Sequence, residues 1–153
     1  MSLQLTSAAF AHEGTIAEQY SKQGGNVSPQ LSWTGVPEGT SSLVLIAEDP
    51  DAPSGTFVHW LVYGIPPDVH SLDERQPQNP VLANSARQGL NGYGEIGYGG
   101  PKPPGGTHPY YFRLFALDTD SDLPIELTRD ELEGVIQGHI IEQAELMGRF
   151  SAS

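Results

Sequence analysis

Cysteine is absent from the 153 residues. Disulfides, thiolate nucleophiles, thiolate zinc sites and iron–sulfur clusters are therefore excluded. Basic residues are scarce: 7 Lys and Arg face 19 Asp and Glu, a net charge of −12 with histidines neutral. Neutralising nucleic-acid phosphates needs the opposite balance, so no nucleic-acid partner is expected. Electrostatic docking on an anionic membrane is disfavoured for the same reason. Long hydrophobic stretches are missing as well. The longest unbroken apolar run is Leu43 to Ala47, five residues, against the ~20 that a spanning helix needs. No integral membrane association is expected. No basic start leads into an apolar stretch at the N-terminus, so no signal peptide is read and a cytoplasmic location is the expectation. Without a secretion signal, Asn26-Val27-Ser28 is a chance match to a glycosylation acceptor.

What is present reads as one domain over 1–153. Glycine (18) and proline (13) make up about a fifth of the chain, high but short of a low-complexity composition. Ser42–Asp49, Phe57–Ile65 and Tyr110–Asp118 are short apolar runs with branched and aromatic residues, bounded by turn signals, and predict buried strands. Both faces of each run are apolar apart from His59 and Arg113. Such strands need cover on both sides, which predicts a sheet packed on another sheet. Weaker strands are expected at Leu3–Thr6, Leu31–Trp33, Val69–Asp73 and Val81–Gly89. One long helix is predicted from Arg129 to Met147, with Thr128 and Glu131 as a capping box, Leu127 and Leu132 as a hydrophobic staple, and Gly148 as the closing cap. Between the last two strong strands, Gly89–Gly106 holds eleven Gly or Pro in eighteen residues. Such loops are usually either functional or disordered, and Tyr93 and Tyr98 inside it favour an ordered, packed one.

Gly92-Tyr93-Gly94-Glu95-Ile96-Gly97 spells a dinucleotide-binding signature. It runs into Tyr98-Gly99-Gly100-Pro101, which cannot open the helix such a site requires, so the match is rejected. A G-x-S-x-G elbow and an H-E-x-x-H helix are both missing. His12, His70 and His139 read as structural or solvated, His139 on the core face of the predicted helix. His59 and His108 differ by their company. A buried imidazole at His59 needs a carbonyl or carboxylate partner, and Asp49 at the end of the preceding strand is within turn distance. His108 opens the third strong strand, with Tyr110 on the same face. Two His, one Tyr and one Asp at strand ends make a polar pocket.

These segments resemble the phosphatidylethanolamine-binding protein family, in its bacterial and archaeal, Raf-kinase-inhibitor-like branch. The matching stretches are Asp49-Pro50-Asp51-Ala52-Pro53, Gly55-Thr56-Phe57-Val58-His59-Trp60, Gly97-Tyr98-Gly99-Gly100-Pro101-Lys102-Pro103-Pro104 and His108-Pro109-Tyr110. Asn26-Val27-Ser28-Pro29 and Leu31-Ser32-Trp33 add to them, and the likeness runs from Leu5 to Arg149. The resemblance implies a mainly β fold, a two-sheet antiparallel β-sandwich with one C-terminal helix and a long Gly/Pro-rich loop. It implies a small anion pocket for phosphate-type groups such as a phosphoethanolamine headgroup. By position the ligand-binding residues would be Asp49, Phe57, His59, Gly100 as a backbone donor, Pro103, His108 and Tyr110. It implies no catalytic residues, no metal and no cofactor. It also implies a homodimer and a kinase or protease as protein partner. The alternative readings are an inhibitor module working through protein contacts, and a hydrolase using Asp49, His59 and His108. Lys102 and Pro109 depart from the family, which often has Cys and Arg there.

A protein of this charge can hold an anion only locally, through loop amides, imidazoles and a phenol. Asp49 is expected to orient His59. Phosphate binding is expected to weaken as both imidazoles lose their protons, over about pH 6 to 7.5. A cis Ala52–Pro53 peptide is expected in the turn beside the site.

Overall fold

The computed structural model describes residues 2–52, 55–102, 106–119 and 123–151. In chain order it contains β1 (Gln4–Thr6), β2 (Gly14–Thr15), a 3-10 turn (Glu18–Tyr20), β3 (Leu31–Thr34), β4 (Ser42–Asp49), β5 (Phe57–Ile65), β6 (Ser71–Leu72), β7 (Arg87–Gln88), β8 (Thr107–Leu117), α1 (Arg129–Ile136) and β9 (Ile140–Ser151). Two sheets form, one in the order β1-β3-β6 and one in the order β2-β9-β8-β4-β5-β7. Pairing is antiparallel except where β2 runs parallel to β9.

β4 lies at the centre of the large sheet, and all eight of its residues are buried. Alternation splits it between two cores. Leu43, Leu45 and Ala47 join Leu5, Trp33, Trp60, Val62, Phe112 and Leu114 between the sheets. Val44 and Ile46 face the other way, with Leu61, Tyr63, Phe115 and Leu117, and are covered by Leu127, Leu132 and Ile136. The doubly apolar strands are thus covered by a sheet on one side and by α1 on the other, not by sheets alone.

The predicted helix over Arg129–Met147 is half right. Its start is as expected: Thr128 Oγ1 accepts from the Glu131 N–H, and the Glu131 carboxylate accepts from the Thr128 N–H. It ends at Ile136, because Gly138 takes a left-handed φ of +84° that stops the helix. The chain then forms β9, the longest strand, paired along β8 from Ile140 to Ser151. Ile140, Gln143, Leu146 and Met147 satisfy helical spacing, yet Ala144, Leu146 and Phe150 also alternate, and those three side chains pack between the sheets. Gly148 is not a cap but a strand residue at a close approach. A Cβ there would meet Ile16 Cγ1 and Phe10 Cε2, each at 2.7 Å. His139 is off any helix and exposed, with its Nδ1 bonded to Asp118 Oδ1 at 2.8 Å.

The same substitution should act with opposite signs on the two sides of this boundary. Gly148→Ala should lower stability by about 1–3 kcal/mol through overpacking. Gly134→Ala, in α1 with open space around it, should raise stability by roughly 0.4–1 kcal/mol. Urea unfolding of both variants against the parent measures this.

Candidate ligand-binding site

The N-terminal end of β5 departs from regular pairing. Ala47 pairs with Trp60 and Glu48 with Val58, so His59 is an extra residue in a bulge. Bulges re-aim side chains beside functional sites. Here the bulge brings His59 and Trp60 to the inter-sheet side, while Val58 and Leu61 face the helix side. The backbone of the bulge is satisfied by the glycine loop: Gly99 N–H donates to His59 O at 2.8 Å and Gly92 N–H to Val58 O at 2.7 Å.

Aromatic rings gather around His59. Its ring centroid is 4.9 Å from that of Phe57, 5.1 Å from Tyr110 and 6.3 Å from Tyr93. The His108 ring stacks on Tyr110 at 6.5 Å. Segments far apart in the sequence therefore supply one cluster, and His59, His108, Tyr110, Phe57 and Asp49 all belong to it.

The hydrogen bonds differ from the expected ones. Asp49 pairs with His108, not with His59: the His108 Nδ1–H donates to Asp49 Oδ2 at 2.7 Å, and the Asp51 N–H donates to Oδ1 at 2.8 Å. Asp49 continues β4 one step past the Glu48↔Tyr111 pair, which carries it to β8 beside His108. The His59 Nδ1–H donates instead to Gly99 O at 2.6 Å. Gly100 does not offer its N–H to a pocket, because that group donates to Asn26 Oδ1 at 2.7 Å. Pro103 and the Ala52–Pro53 peptide lie outside the described residues.

Burial pushes the His59 imidazole down to about 4, against the opposing pull of the Gly99 carbonyl and the Asp49 charge. At neutral pH the ring is uncharged. With its proton on Nδ1, it presents a lone pair at Nε2. The expected titration of His59 between pH 6 and 7.5 is thereby overturned. Burial, helped by Asp49, raises the Tyr110 phenol well above its ordinary value, so it stays a neutral donor. Burial likewise pushes Tyr93 up to about 12, with Glu95 adding to it.

Three residues of the site architecture were not among the ligand-binding residues expected from the sequence. Tyr93 forms a wall, with its hydroxyl donating to Gly100 O at 2.8 Å and its ring 4.8 Å from Phe57. Asn91 organises the Gly92–Gly97 turn, its Oδ1 accepting from the Tyr93 and Glu95 N–H groups and its Nδ2–H donating to Gly97 O. Asn26 holds Gly100. An Asn-Gly pair inside a glycine-rich loop was the available signal for Asn91. On the opposite side of β5, Thr56, Val58, Gly92, Thr128, Arg129 and neighbours line a separate cleft of about 540 Å³. Among the described residues no group of three or more His, Asp or Glu is placed to share a metal ion, and no helix is long and apolar enough to cross a membrane.

The phosphatidylethanolamine-binding protein family model matches residues 6–151. The chain belongs to this family. A UPF0098 protein of Methanothermobacter thermautotrophicus is 43% identical over 148 residues, covering 97% of this chain and 98% of the relative. One from Aquifex aeolicus is 42% identical over 151 residues, covering 97% and 88%. Among solved structures, the family homolog CT736 of Chlamydia trachomatis superposes with a TM-score of 0.90 at 43% identity over 99% of each chain. E. coli YbcL, described as a member of the mammalian family, gives 0.92 at 30% identity over the whole of both chains. The family fold, a mainly β arrangement of two sheets with one helix, is the one found here.

The buried neutral His59 makes stability acid-sensitive. Its folded-state value lies below the unfolded one of 6.5, so the unfolded chain binds the extra proton. Stability is complete above pH 6.5 and falls as pH drops toward 4, by about 3 kcal/mol in all. His59→Gln should lack this part of the acid loss, which denaturant unfolding of parent and variant at several pH values reads as a difference in slope.

Proposed function

We propose that this protein binds small phosphate-type ligands, phosphomonoesters or phosphodiesters, at the ring cluster over Asp49. The observation that carries the reading is the convergence of two imidazoles and the Tyr110 phenol beside a buried carboxylate, walled by Phe57 and Tyr93. Tyr110 O–H donates to a ligand oxygen. His108, when protonated, donates from Nε2 while Asp49 meets its charge. His59 does the reverse: its Nε2 lone pair accepts the hydrogen of a ligand P–OH group. The loop amides of Gly99 and Gly100 are already spent, so selectivity favours a ligand that brings its own proton over a full dianion.

Binding, not catalysis, fits this inventory, since among the described residues no hydroxyl is hydrogen-bonded to a ring nitrogen of His59 or His108. The family resemblance extends the proposal to regulation of a partner kinase or protease, to a homodimer and to a cytoplasmic setting.

Calorimetric titration with O-phosphoethanolamine between pH 5 and 8 tests the reading. Affinity should fall as the ligand loses its second proton near pH 6, approaching tenfold per pH unit. His59→Leu, without the acceptor, should flatten that dependence. Affinity that rises with pH, or no binding at pH 5, would overturn the proposal.

A further inference from the structure

We infer that Lys22 forms an outer anion subsite at the rim of the ring cluster, so that the preferred ligand carries a second negative group beside its phosphate. The inference rests on the phosphate reading above and names the ligand class, a small phosphomonoester that also bears a carboxylate or a further phosphate.

Lysine occurs only twice in the chain, at Lys22 and Lys102, and the fold brings both to one place. The Lys22 N–H donates to Pro101 O at 2.9 Å, which lays Lys22 alongside the segment that continues into the exposed Lys102. The Lys22 side chain is three-quarters buried (25% exposed). Its Nζ lies 4.5 Å from the centroid of the Tyr93 ring, the same ring that packs on Phe57 and faces His59. A single aromatic ring therefore stands between this ammonium and the candidate site. Three of the five arginines are committed elsewhere: Arg113 and Arg129 hold Glu48 on the helix-facing side, and Arg149 donates to Glu13 O.

Among the described residues the ammonium has one charged partner, Glu95 Oε1 at 2.7 Å, whose side chain is 49% exposed. Rim pairs of this kind contribute little and exchange readily, so an incoming anion can take the place of Glu95. The stack on Tyr93 keeps Nζ in position while it does so. A cationic second group would meet like charge instead. The ammonium of O-phosphoethanolamine is thus the wrong partner for this rim, and the carboxylate of a phosphorylated hydroxy acid is the right one.

The test compares inorganic phosphate, O-phosphoethanolamine and 3-phosphoglycerate by calorimetry on the intact protein at pH 6 and low ionic strength. The parent should bind 3-phosphoglycerate about fivefold or more tightly than O-phosphoethanolamine. Lys22→Met keeps the stem on Tyr93 and removes the charge. It should bring that ratio close to one, with the affinity for inorganic phosphate changing less than about twofold, because salt and distance screen the rim charge. Glu95→Gln should widen the ratio. Equal affinity for the two esters in the parent, or a preference that survives in Lys22→Met, overturns the inference while phosphate binding stands. If none of the three ligands binds, the phosphate reading itself falls and takes the inference with it.

Discussion

Two neighbouring carboxylates at the end of a fully buried strand govern this molecule. Glu48 and Asp49 close β4, and each is 3% exposed. A buried carboxylate is tolerable only when paired and hydrogen-bonded. Strand alternation sends the two in opposite directions, so each must be met by a different set of partners. Glu48 faces the helix side and receives Arg113 from β8 at 2.6 Å and Arg129 from the first turn of α1 at 3.0 Å. Asp49 faces the other side and receives His108 and the Asp51 amide. One pair fastens the helix to the sheet and the other assembles the ring cluster. Both draw on β8, Glu48 through Arg113 in its middle and Asp49 through His108 at its beginning.

The glycine-rich loop adds the wall, and it does so through side chains that answer its backbone. Asn91 closes the Gly92–Gly97 turn, Asn26 takes the Gly100 amide, and the Tyr98 hydroxyl donates to Tyr20 O at 2.7 Å. Gln88 accepts from Trp60 Nε1 and donates to the Pro77 and Asn79 carbonyls. Among the described residues no buried side-chain nitrogen or oxygen is left without a partner. That completeness changes the chemistry of the site. A loop whose amides were free would be an anion cradle; this one has spent those of Gly92, Gly94, Gly97, Gly99 and Gly100 on rigidity. In the binding mode proposed above, recognition is left to Tyr110, the outward ring nitrogens and the rim.

The strong strands were legible because β-branched and aromatic residues in short, bounded runs leave few alternatives, and β4 and β5 match Ser42–Asp49 and Phe57–Ile65 residue for residue. The start of α1 was legible because a capping box is chemistry local to four residues. Its end was not. Leu146 and Met147 fit both a helical and an alternating pattern, and only pairing with β8, thirty or so positions away in the chain, decides between them. In the candidate site, the proximity of Asp49, Phe57, His59, His108 and Tyr110 was legible but their bonding was not. Asp49 is closer in sequence to His59 than to His108, and loop length favours the nearer partner. A one-residue bulge at His59 and the β4–β8 register reverse that preference, and neither is written in local composition. Asn26 acts on the backbone of a segment 74 positions away and Tyr93 on a carbonyl of its own loop, and neither leaves a periodic trace.

The gathering of both lysines at one rim has a practical side. Apart from the α-amino group, the primary amines are Lys22, stacked on the Tyr93 ring, and Lys102, next to the Pro101 carbonyl that the Lys22 N–H meets, whereas the chain carries 19 Asp and Glu. Reagents that acylate amines would therefore reach, besides the α-amino group, the exposed Lys102 ahead of the sheltered Lys22. A sensor chip or resin coupled through Lys22 would hold the molecule with the Tyr93 side of the ring cluster turned toward the support. Coupling through carboxyl groups would leave it open.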